Sequence, residues 1–219
     1  MKKLTSILSV VLALFAFSAK ADFTGGISIV TGKYETDGSE TEKAVTGVTS
    51  QVTNNSQSET FIGASVFVEY FMDNGFALGV DYVPMDVDLG KGSRTDTSDT
   101  SSDDGVDTGS RSAEAHIDGI TTIYTHIPIG PMYGILGYHD ATIKTKETLP
   151  TSSYGDVDIN GIQYGLGIKG ENVRFEIAYS DFDDIEITAT GNTISGNVTS
   201  QNKIKADADV LLAKISFNF

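Results

Sequence analysis

From Asp22 to Phe219 the chain alternates apolar and polar residues at every second position, stretch after stretch, and the three-to-four-residue spacing of a helix is absent. The clearest stretch closes the chain. Leu211, Ala213, Ile215, Phe217 and Phe219 fall on one face of a strand, and Val210, Leu212, Lys214, Ser216 and Asn218 on the other. Seven further stretches precede it, at about Asp22–Glu35, Thr60–Phe71, Phe76–Asp88, Ser112–Ile127, Met132–Lys144, Asp156–Lys169 and Val173–Asp183. In the second, Ile62, Ala64, Val66, Val68 and Tyr70 oppose Ser65 and Glu69, and in the third, Leu78, Val80 and Tyr82 oppose Gly79 and Asp81. The fourth sets Ile117, Thr121, Ile123 and Ile127 against His116, Asp118, Thr122 and His126. The sixth sets Ile162, Tyr164, Leu166 and Ile168 against Gly161, Gln163, Gly165 and Gly167, and the seventh sets Phe175, Ile177 and Tyr179 against Arg174, Glu176 and Ser180. The fifth has no clear facing.

The connections add a second pattern. Met72–Gly75, Pro128–Pro131 and Gly170–Asn172 are short, and the first holds Asn-Gly, a strong hairpin signal. Thr36–Glu59, Leu89–Arg111, Thr145–Gly155 and Asp184–Ile204 are longer and polar. Short and long alternate strictly, which places every long loop at one end. A transmembrane barrel has that asymmetry, with short periplasmic turns and longer extracellular loops. The expected fold is therefore all-β, an eight-stranded antiparallel up-and-down transmembrane β-barrel with both termini periplasmic. Several stretches exceed the roughly 9–11 residues a tilted strand needs to cross the apolar layer, so hairpins should project beyond it.

Met1–Ala21 stands apart: Lys2 and Lys3 precede an apolar run that ends at Ala19-Lys20-Ala21, the form of a cleaved secretory signal peptide. The expected organisation is a signal peptide over 1–21 and one barrel domain over 22–219. Cysteine is absent, so no disulfide framework or thiolate site exists. The formal net charge is −15, and three of the basic side chains lie in the leader, so the remainder is more acidic still. Such a chain is a poor partner for nucleic acid, whose phosphates demand Lys and Arg.

The leader, eight alternating strands, turn-and-loop rhythm and terminal Phe219 together resemble the small bacterial outer-membrane β-barrel family, the outer-membrane protein A/X-like and porin-like surface antigens. Gly161–Ile168 followed by Arg174–Tyr179 looks most like the late hairpin of that family. The resemblance implies residence in the outer membrane beside lipid and lipopolysaccharide, and a monomer. It also implies that Ile215, Phe217 and Phe219 form the carboxy-terminal signal read by the barrel assembly machinery.

An eight-strand barrel is just wide enough to be filled by its own side chains. Parity points Glu69, Asp81, Asp118, Arg174, Glu176 and Lys214 inward, with His116 and His126, and buried charges must pair. These six are expected to form a polar lumen network. Some family members modify lipid A through His and Ser two positions apart on one strand. Here His116, His126 and His139 are followed at that spacing by Asp118, Pro128 and Ala141. The acidic run Asp96–Asp107 carries carboxylates and hydroxyls suited to Ca²⁺ but lacks EF-hand spacing, and reads as a solvated loop. The expectation is a non-enzymatic barrel without metal or cofactor, in a structural or surface-contact role with long acidic extracellular loops and an extracellular partner of unknown identity. The alternatives are a narrow porin for small solutes, a lipid-modifying enzyme, and a soluble periplasmic barrel holding an apolar ligand.

Overall fold

The structure, a computed structural model, describes residues 23–44, 49–96, 109–147, 154–188, 193–194, 197–198 and 200–219. The leader and most of the acidic run therefore lie outside the described residues. Eight long strands make the barrel: β1 (Phe23–Ala44), β2 (Thr49–Phe71), β3 (Ala77–Asp96), β4 (Gly109–Ile129), β5 (Met132–Glu147), β6 (Val157–Lys169), β7 (Val173–Thr188) and β10 (Ser200–Asn218). The two-residue strands β8 (Thr193–Ile194) and β9 (Asn197–Val198) form a separate small hairpin. Each long strand pairs antiparallel with its chain neighbour, and β10 closes the ring on β1 from Gly26↔Asn218 to Ala44↔Ser200. Closure leaves no free outer edge along that seam, which a membrane-spanning sheet requires.

Polarity is reversed relative to a water-soluble barrel. The outward row of β10 is Leu211, Ala213, Ile215 and Phe217, while Val210, Leu212, Lys214 and Ser216 point inward. Ile62, Ile177 and Phe219 are 72%, 64% and 74% exposed, which only a lipid surrounding makes favourable. The apolar outer band covers 23–31, 62–71, 76–82, 121–129, 132–138, 162–168, 175–179 and 211–219. Above it the outer face turns ionic, with Lys33–Glu35, Lys91–Glu114 and Lys203–Glu186 pairs.

The hairpins run farther than the hydropathy pattern implied. Positions 36–59, expected as one long loop, are paired up to Lys43↔Thr49. The Thr-, Ser- and Asn-rich sequence carries little apolar alternation. It still sustains a ladder, because Thr suits strands and cross-strand contacts such as Ser56 Oγ to Asp37 Oδ1 at 2.5 Å tie the pair together. The projecting parts are therefore largely strand, and residues 97–108 separate β3 from β4.

Two of the register shifts exchange rows that line the interior. At Gly119, with φ at +65°, β4 makes a bulge, and the register jumps from Asp118↔Thr142 to Thr121↔Asp140. On β7 three steps from Phe182 to Ile185 face two on β10, from Ala208 to Ala206. Each extra residue exchanges the inward and outward rows above it. The seam between β2 and β3 is also short. It pairs only from Phe71↔Ala77 to Val66↔Tyr82, although both strands continue well beyond. Pro84, which has no N–H to donate, lies just past that limit and is skipped in the β3–β4 register as well.

Candidate functional site: a polar floor beneath an apolar chamber

The turn-side half of the lumen is ionic. Arg174 on β7, fully buried, ion-pairs with Glu69 on β2. Tyr124 donates to the same carboxylate at 2.6 Å, and His126 Nδ1 stands 3.5 Å from it. Glu176, one inward step from Arg174, accepts from Tyr133 at 2.8 Å and meets His126 Nε2 at 3.5 Å. Lys214 on β10 pairs with Asp81 on β3 and lies 3.8 Å from Glu176, while Ser65 donates to Asp81 at 3.1 Å. The guanidinium sits 4.2 Å from the Phe67 ring centroid, and the His126 ring is held between Tyr124 and Tyr133 at 4.9 and 4.2 Å. Two inward glycines make room for these rings. A Cβ on Gly79 would strike Tyr124, and one on Gly167 would strike Tyr133.

Five of the six residues placed in the lumen by parity thus meet: Glu69, Asp81, Arg174, Glu176 and Lys214. Asp118 does not join them. It lies below the Gly119 bulge in sequence, so its row is reversed, and it points outward to pair with Lys144. His116, in the same reversed row, is half-buried rather than part of this network. The Lys144 ammonium, by hydrogen bonding, holds the Asp118 carboxyl below its ordinary range, and Lys144 is raised in turn. Parity arithmetic did not reveal the tyrosines and Phe67 that complete the cluster, although Tyr124 and Phe67 occupy inward rows legible in the sequence.

Over this floor lies a chain of neutral polar groups. His139 bridges Thr122 through Nδ1 at 2.7 Å and Ser180 through Nε2 at 2.8 Å, and its ring stacks on Phe182 at 5.3 Å. Gln163 reaches Ser180 at 3.4 Å. A Ser–His contact invites comparison with a nucleophile and its base, but the group on the other ring nitrogen is a threonine hydroxyl. A hydroxyl orients the ring without supplying the negative charge that stabilises an imidazolium.

The loop-side half is apolar. Ile117, Ala141, Ile143, Ile159, Phe182, Ile185, Ile187 and Val210 point inward with Tyr34, and Phe61, Leu89 and Leu212 pack against them. Between these walls and the floor is a chamber of about 70 Å³. Tyr34 lies above the apolar outer band. The residue is 2% exposed, its hydroxyl has no hydrogen-bond partner among the described residues, and burial, then Glu59 and Asp88, hold its pKa above the ordinary value.

A closed barrel of eight antiparallel strands, apolar outside and salt-bridged inside, has the fold of the small outer-membrane β-barrels. No family model and no curated protein matches the sequence. Among solved structures it is similar to the outer membrane protein OprG from Pseudomonas aeruginosa. That match has a TM-score of 0.51 at 12% identity and covers 90% of this chain and 97% of that one. The attachment invasion locus protein Ail of Yersinia pestis matches at TM-score 0.33 and 11% identity, over 89% of this chain and 99% of that one. The Pseudomonas putida toluene transporter TodX matches at TM-score 0.32 and 8% identity, over 88% of this chain and 89% of that one. The OprG match agrees with the barrel fold of an integral outer-membrane protein.

Proposed function

We propose that the protein is a non-enzymatic outer-membrane barrel whose work is done by its projecting hairpins, in a structural or surface-contact role, while its lumen stays sealed. The observation that carries this reading is the floor. Glu69, Asp81, Arg174, Glu176 and Lys214 reach across the lumen from β2, β3, β7 and β10, and Tyr124 and Tyr133 lock them in place. Opening a path would separate buried charges from their partners, which costs far more than a transient side-chain motion supplies. The Ser180–His139–Thr122 chain lacks a carboxylate, which supports a non-enzymatic role. In this reading residues 1–21 direct export, the termini are periplasmic, and the acidic hairpin ends are extracellular. Ile215, Phe217 and Phe219, all exposed on the outward face, are what the assembly machinery reads, and the barrel sits as a monomer among lipid and lipopolysaccharide. Purified protein in a planar bilayer should show no discrete conductance steps. Reproducible ohmic steps from the wild-type protein would replace this reading with that of a narrow porin.

A further inference from the structure

The chamber above the floor has no part in the sealing. Its walls are mostly apolar and come from most of the ring, including Tyr34, Phe61, Leu89, Ile117, Phe182 and Leu212, and the floor's Asp81, Glu176 and Lys214 also line it. Filling an eight-strand barrel with its own side chains is the ordinary outcome, so a cavity of about 70 Å³ here is a departure. Among the described residues of the lining one polar group is left without a partner, the Tyr34 hydroxyl, although the residue is 2% exposed. A phenylalanine would occupy the same space without burying an unsatisfied donor. The other polar groups around the chamber already have partners: His139 uses both ring nitrogens, and Lys214, Asp81 and Glu176 are paired within the floor.

We propose that this chamber is a binding site for a small uncharged molecule with an apolar body and a single acceptor atom, which accepts a hydrogen bond from the Tyr34 hydroxyl. The chemistry follows from the lining. A charged ligand would enter an apolar space whose only nearby charges are already engaged, and a fully apolar one would leave the hydroxyl unsatisfied. Size sets the second limit. The cavity is a little over twice the roughly 30 Å³ that a water occupies in the liquid, so the buried part of the ligand is a few heavy atoms, such as a short ketone. The floor closes the site on the turn side, so the molecule is held rather than passed through the ionic cluster.

The test uses 2-butanone and xenon on the full barrel in detergent micelles, with amide and methyl NMR shifts as the readout. Wild-type protein should show saturable 2-butanone shifts confined to chamber residues such as Ile117, Phe182 and Val210. Tyr34→Phe should bind 2-butanone about tenfold more weakly, the loss of one hydrogen bond to a buried group. Xenon, which needs only the apolar cavity, should shift the same residues equally in both proteins and so report that the variant keeps its fold. No saturable shifts at these residues, or equal 2-butanone affinity in the two proteins, would overturn the proposal. Conductance reads the floor and ligand shifts read the chamber, so the sealed-barrel reading and this one fail separately.

Discussion

Arg174 is the buried cation at the centre of the floor's contacts. It is fully buried, ion-paired to Glu69, near Glu176 at 3.9 Å and stacked on Phe67. Removing one member of a buried ion pair strands its partner's charge, and such losses run at about 3–5 kcal/mol. Arg174→Ala should therefore lower the stability of the folded barrel by about that amount. The check is the urea midpoint for conversion of the compact, fast-migrating form on unheated gels to the unfolded form. Arg174→Ala paired with Glu69→Ala should recover part of the loss, because the stranded carboxylate is gone. The inward position of Arg174, like that of Glu69, Asp81, Glu176 and Lys214, was legible because each strand keeps its period of two from an unambiguous apolar row down to the turn. Asp118 was not, because a single extra residue at Gly119 reverses its row and nothing in local hydropathy marks the bulge.

At the scale of the strands, the same bulges explain why the apolar chamber was invisible in sequence. Ile117, Ile185 and Ile187 continue what reads as an outward or loop pattern, yet the shifts on β4 and β7 turn them inward. The projecting hairpins read as loops for a different reason: their sequence is rich in Thr, Ser and Asn, so the hydrophobic alternation fades while the ladder continues. Those hairpins have their own electrostatics. Asp207 on β10 hydrogen-bonds to Asp184 on β7, and this contact, with the charges of Asp184, Asp37 and Asp209, holds its carboxyl above the ordinary carboxylate pKa. An acid whose folded pKa is raised contributes stability that is complete below its unfolded pKa and is lost as pH rises through the folded value. Asp207→Asn should thus slow amide exchange in the upper parts of β7 and β10 at neutral pH relative to wild type. The difference should vanish in acid, below the ordinary Asp range near 3.8. A variant difference that grows in acid would contradict a raised Asp207 pKa as its cause.

At the scale of the whole molecule, the design is a sleeve with an apolar exterior, an ionic floor at the turn end and an apolar chamber toward the hairpins. The exterior follows from the alternation in Leu211–Phe219 and its counterparts in the other strands, and closure follows from β10 pairing with β1. The short β2–β3 seam is a further interruption, and Pro84 beside its limit is the sequence feature that accompanies it. The inside-out polarity is what the proposed membrane residence rests on. Because the chain has no cysteine, single cysteines can be placed at 211 to 217 along β10 and spin-labelled in lipid vesicles without background. Collision with oxygen dissolved in the bilayer should be high at positions 211, 213, 215 and 217 and low at 212, 214 and 216. The reverse parity, or no period of two, would contradict the account.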